Sequence, residues 1–100
     1  MDEIDWLITH SPDEVILMHT VDMYPVDNPM LFTLELLKGT FLTQTIGYSD
    51  TTKDIKVCVG AVREFGTCII EKGLKLDDEC PGELTAVLPG EFMEMVEETR

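Results

Sequence analysis

Residues 30–48 constrain this chain more than any other stretch. Two apolar arms, 30–37 and 40–47, flank Lys38-Gly39, and the second arm is rich in Thr, Phe and Ile. Glycine at such a junction supplies the positive φ that a tight turn needs, and Phe41, Thr43 and Thr45 alternate with Leu42, Gln44 and Ile46 in the two-residue period of a strand. The pattern predicts a β-hairpin. A polar loop, 48–54, follows. A second hairpin is then expected from 55–62 and 67–76, joined by Arg63-Glu64-Phe65-Gly66, with Gly60 and Gly73 as bulges and with Lys72 and Lys75 guarding an edge against foreign strands.

Helix signals lie towards the two ends. Residues 2–9 place Asp2, Glu3 and Asp5 at the positive end of a helix dipole and Ile4, Trp6, Leu7 and Ile8 as its apolar content. Ser11-Pro12-Asp13-Glu14 has the form of a capping box, yet Val15 to Val21 is a continuous, β-branched run, so the segment reads as a strand after a capped turn in preference to a helix. Pro25 and Pro29 end it. A last short strand is expected at 83–88, closed by Pro89-Gly90, and a final helix at 91–99 with Phe92, Met95, Val96 and Thr99 along one stripe. The fold class expected is therefore α+β, with an antiparallel sheet of about five strands built from two hairpins and short helices near the termini, all in one domain over 1–100.

Composition narrows function mainly by exclusion. At 44% hydrophobic and 27% charged, with a mean hydropathy of +0.05, the 100 residues carry too much apolar content for wholesale disorder. A net charge of -13 argues against binding along a nucleic-acid backbone, which needs neutralised phosphates. The acids are segregated: 1–37 sum to -8 with no Lys or Arg, 38–76 to +2, and 77–100 to -7. Cys58, Cys68 and Cys80 are odd in number and form no C-x-x-C pair, which points to a reducing compartment. Acids at the start of the chain and the lack of a run of roughly 18 apolar residues predict neither a secretory leader nor a membrane span, and the expected location is cytoplasmic.

Catalytic, cofactor and metal sites are expected to be absent. His10 and His19 stand nine apart, outside the short spacings that put two imidazoles on one metal. Cys58 and Cys68 read as small core residues, and Cys80 lies in an acidic turn that disfavours a thiolate. Among twenty carboxylates, a pair such as Asp22 with Glu35 carries no information by residue type. The Asp27-Asn28 and Asp77-Asp78-Glu79 clusters lack the ligand order of an EF-hand loop, and Gly60 and Gly66 lack a phosphate-loop context.

What remains is the pair of acidic ends, larger in charge than the magnitude of about 2 to 8 that solubility asks of a small domain. The expectation is a non-enzymatic protein that docks on a basic protein partner as a DNA-mimic-like inhibitor or immunity factor of a nucleic-acid-processing enzyme, with no direct nucleic acid or membrane contact. Asp2, Glu3, Asp5, Glu91, Glu94, Glu97 and Glu98 would steer the encounter, and Trp6, Phe92 and Met95 would anchor it. Small size and acidity also suit a virus-encoded protein. Two alternatives are a viral tail or connector subunit forming homo-oligomers through a sheet edge, and a small carboxylate-dependent enzyme.

Overall fold

The computed structural model describes residues 2–21, 28–79 and 84–100. Helix α1 spans Asp2–His10, strand β1 Ile16–His19, helix α2 Phe32–Thr40, strand β2 Thr45–Asp50, helix α3 Lys56–Arg63, strand β3 Ile69–Lys72 and helix α4 Pro89–Glu98. The strands form one sheet in the order β1-β2-β3, and both pairings are parallel. Leu17 lies opposite Ile46 and His19 opposite Tyr48; Tyr48 in turn faces Ile70, and Asp50 faces Lys72. The architecture is α/β, so the expected antiparallel five-stranded sheet of hairpins is overturned.

Both hairpins fail for the same physical reason. A parallel strand must be reached by a crossover, and here each crossover carries a helix of only eight or nine residues. In α2 the buried residues are Leu34 and Leu37, with Phe41 buried one turn further on, a helical spacing hidden inside a nearly continuous apolar run. Gly39 is inside this helix, and the position its Cβ would take is open, so no turn is made there. In α3 the buried pair is Cys58 and Ala61. The reversal that does need glycine is Gly66, at φ +65°, whose N–H donates to Val62 O at 3.0 Å while Lys38 Nζ donates to Phe65 O at 2.8 Å.

Elsewhere, local chemistry agrees with the outcome. β1 forms within the β-branched run, and the proline-acid box at Ser11 opens no helix. In place of a strand at 83–88 there is one parallel bridge, Leu74 to Val87, with Val87 N donating to Gly73 O and Lys75 N to Val87 O, each at 3.0 Å. Glu83 and Cys80 lie outside the described residues, as do Asp22 and Asp27. At α4, Pro89 occupies the first turn and Glu91 Oε1 accepts the Leu88 N–H at 3.2 Å.

Successive strand order without reversal sends both crossover helices to one face, the winding of an arc of a β/α barrel rather than of a doubly wound sheet. On that face Leu34, Leu37, Phe41, Ile46, Tyr48, Cys58, Ala61 and Met95 form the core, with Ile4 and Ile8 of α1 and Leu17 and Ile70 packed against it. Burying a side chain as fully as Leu34, at 0% exposure, contributes about 1.5–3 kcal/mol. The opposite face, with Ile16, Met18, Gly47, Ser49, Ile69 and Glu71, carries no helix among the described residues, and Ile16 and Met18 remain 44% and 38% exposed. The Cα radius of gyration, 14.6 Å, exceeds the roughly 13 Å of a compact 100-residue domain, as an arc should. Among the described residues, no helix is long and apolar enough to cross a membrane.

Candidate functional site

In parallel sheets the carboxyl ends of the strands are where backbone groups and loops converge to make sites. Here those ends are His19, Asp50 and Lys72. Side chains alternate across the sheet, so Asp50 and Lys72 point to the helix side and their neighbours Ser49 and Glu71 to the open side. Each pair is joined across β2 and β3.

On the helix side, Lys72 Nζ lies 2.7 Å from Asp50 Oδ2, and neither side chain is exposed to solvent. The ammonium also donates to Thr52 O at 2.6 Å, and Tyr48 Oη donates to Asp50 Oδ1 at 2.5 Å. Thr52 Oγ1 sits 2.9 and 2.7 Å from the two carboxylate oxygens. Burial by itself would raise the Asp50 carboxyl, but the hydrogen bonds from Lys72, Tyr48 and Thr52 together with the Lys72 charge hold it below its ordinary value. Burial, then the bond to Asp50, pushes the Tyr48 phenol up. Burial, followed by the Asp50 charge, pushes the Cys58 thiol up to about 12. Cys58 is therefore an unreactive thiol, as the sequence suggests, although it sits on a helix; Cys68 is exposed.

On the open side, Ser49 Oγ donates to Glu71 Oε1 at 2.7 Å. The second Glu71 oxygen has no protein partner among the described residues, and the side chain is exposed. With the Ser49 hydrogen given to Glu71 Oε1, the pair presents acceptors at the strand ends, the second Glu71 oxygen and the Ser49 Oγ lone pairs, to any hydroxyl or N–H donor that approaches. At the same end of the sheet, His19 Nε2–H donates to Pro29 O at 2.8 Å, and Thr51 Oγ1 donates to Val21 O at 3.0 Å. Among the described residues, no group of three His, Cys, Asp or Glu could hold a metal ion.

The family model described as the NeuB family matches residues 1–100. The chain belongs to the NeuB family. Among solved structures, the N-acetylneuraminic acid (sialic acid) synthetase of Leptospira borgpetersenii, in complex with citrate, is 34% identical over 84% of this chain, with a TM-score of 0.78. The spore coat polysaccharide biosynthesis protein spsE of Bacillus subtilis is 31% identical over 83% of the chain, with a TM-score of 0.73. A Chromobacterium violaceum protein, 20% identical over 98% of the chain with a TM-score of 0.83, shares the fold. The chain spans 30%, 24% and 30% of these three structures. No curated protein sequence matches it.

Membership of the NeuB family overturns the expectation of a non-enzymatic inhibitor, DNA mimic or virus-encoded subunit. Net charge does not report purpose, because carboxylates spread over exposed helix faces say little about chemistry. Glu3, Asp5, Glu91, Glu94, Glu97 and Glu98 are exposed, and Asp2 opens α1. Trp6 is 59% exposed and stacks on His10 with ring centroids 4.4 Å apart, while His10 Nδ1–H donates to Trp6 O at 2.9 Å. Met95, by contrast, is a core residue, and Phe92 packs half-buried against the same core, so the inward stripe of α4 supplied two of the three expected anchors.

The residues at the carboxyl ends of β2 and β3 carry misleading local signals. Ser49, Asp50 and Thr52 fell in an expected polar loop, and Lys72 was an expected edge guard; it is buried at 8% exposure on a paired strand. One signal could have found them. Glu71-Lys72 closes the run Cys68-Ile69-Ile70, and Ser49-Asp50 closes another, the mark of strand ends in a βα alternation.

Proposed function

We propose that this chain forms part of a sugar-acid synthetase of the kind the Leptospira relative represents, and that its product feeds a surface polysaccharide, the process for which the Bacillus relative is named. The observation that carries this reading is 34% identity with that synthetase over 84% of the chain. Ser49 and Glu71 are its contribution to the site: Glu71 keeps one oxygen for a sugar hydroxyl while Ser49 holds the other. Free Cys58 and Cys68 support a reducing, cytoplasmic setting.

The test is a chimera in which residues 1–100 replace the matching segment of the Leptospira synthetase. The chimera should form N-acetylneuraminic acid, and Glu71→Gln within it should lower the rate by about a hundredfold, as loss of one well-placed polar contact does. A folded chimera that makes no product, or one indifferent to Glu71→Gln, would overturn the assignment.

A further inference from the structure

We propose that the buried Asp50–Lys72 pair is a register lock, whose work is to decide which of two adjacent side chains on each strand faces the ligand. The clause about the ligand rests on the function proposed above; the lock itself rests on geometry. β3 ends in Glu71-Lys72 and β2 in Ser49-Asp50, so each strand presents one residue of a pair to the helices and the other to the open face. A one-residue slip of β3 would turn Lys72 outward and Glu71 towards Tyr48 and Cys58. Apolar packing resists such a slip weakly, because Ile69 and Ile70 are adjacent, both half-buried and interchangeable. The ion pair resists it strongly. After a slip, Asp50 would be left buried without its cation, with Glu71 brought towards it as a second negative charge.

Several details support a positioning role over simple stabilisation. Lys72 Nζ reaches across to both Asp50 Oδ2 and Thr52 O, so it holds the end of β2 and the first turn of the following loop together. Tyr48 donates to Oδ1 and the Thr52 hydroxyl lies within reach of both carboxylate oxygens, so Asp50 is held from two further directions besides Lys72. Buried ion pairs are weak stabilisers relative to packed apolar residues, and setting register is their best-attested use.

The test compares Lys72→Met, Asp50→Leu/Lys72→Met and Lys72→Arg in the full chain, with three readouts: melting temperature, cross-strand nuclear Overhauser contacts between β2 and β3, and resonance shifts of Ser49 and Glu71 on adding N-acetylneuraminic acid. Lys72→Met should melt lower or fail to fold. The double apolar variant should recover the melting temperature but not a single set of contacts pairing Gly47 with Ile69 and Ser49 with Glu71, and its affinity for the sugar acid should fall by about a hundredfold, the effect of ångström-scale misplacement. Lys72→Arg should keep both. A double variant with native contacts and native affinity would show the pair to be structural only and would sink the lock. If the unaltered protein ignores the sugar acid, the proposed function fails, and the contact pattern alone decides the lock.

Discussion

The two faces of one small sheet behave differently. On the helix side, Ile46, Tyr48, Asp50 and Lys72 are buried, and all the polar atoms of the Asp50 network find partners. On the other side, Ile16 and Met18 stay exposed, and among the described residues the side-chain hydrogen bond across the strands is Ser49 with Glu71. Parallel sheets are normally covered on both faces, and this chain covers only 30% and 24% of the two structures that are more than 30% identical to it. The covered face therefore accounts for folding. The bare face is where chemistry can be presented, and a substitution should cost stability on one and function on the other.

The largest expected effect tests the covered face. Lys72→Met should destabilise by about 3–5 kcal/mol, because it strands a buried carboxylate, and urea unfolding would read it; Asp50→Leu added to it should recover most of the loss. Leu34→Ala should follow at about 2–5 kcal/mol, against less than about 1 kcal/mol for Ile16→Ala on the bare face. Equal losses at the two positions would erase the distinction between the faces.

The covered face brings a pH dependence of its own, through Cys58, Tyr48 and Asp50. The folded Cys58 thiol is raised from 9.0 to about 12, so its contribution is intact below pH 9 and is lost as pH climbs towards 12. Asp50 is shifted the other way, so its contribution is intact above its ordinary carboxyl range, about pH 4, and is lost as pH falls below that. The Tyr48 phenol is also raised and loses its contribution above pH 10, so Cys58→Ala should make the alkaline limb of a melting-temperature profile shallower without removing it, and should leave the acid limb in place.

Two smaller effects sharpen the picture. Gly39→Ala should stabilise by about 0.5–1 kcal/mol, since the residue is helical with free space at its Cβ; a loss would revive the turn that the residue types suggest. Glu71→Gln, on the bare face, should change stability by no more than about 0.5 kcal/mol, measured by the same unfolding curve, whatever it does to ligand binding.

Legibility followed the range of the forces involved. The two terminal helices were readable, since acids in the first turn of α1 and the apolar stripe of α4 act within a few residues, although α4 begins at Pro89, which reads as the close of a strand. The strand segments were partly readable: β3 lies inside the expected arm 67–76, whereas β2 starts in the expected arm 40–47 and runs on to Asp50 through residues expected to form a polar loop. The helices between them were not. Leu31 to Leu37 satisfies a helix and a strand about equally, and a nine-residue helix gains most of its stability from the surface it packs on.

By itself, then, the sequence determined the local content of this protein: where apolar residues recur, where glycine and proline interrupt them, and how much negative charge the surface carries. Tertiary structure alone decided the direction of strand pairing, and with it the site. Ser49 and Glu71 lie 22 residues apart in the chain and meet only because α3 returns it to make β3 parallel to β2. Glu71 faces the open side of the sheet and Lys72 the helices, where the buried ammonium meets Asp50 across the sheet, an interaction strengthened by the low-dielectric core that the packed helices create.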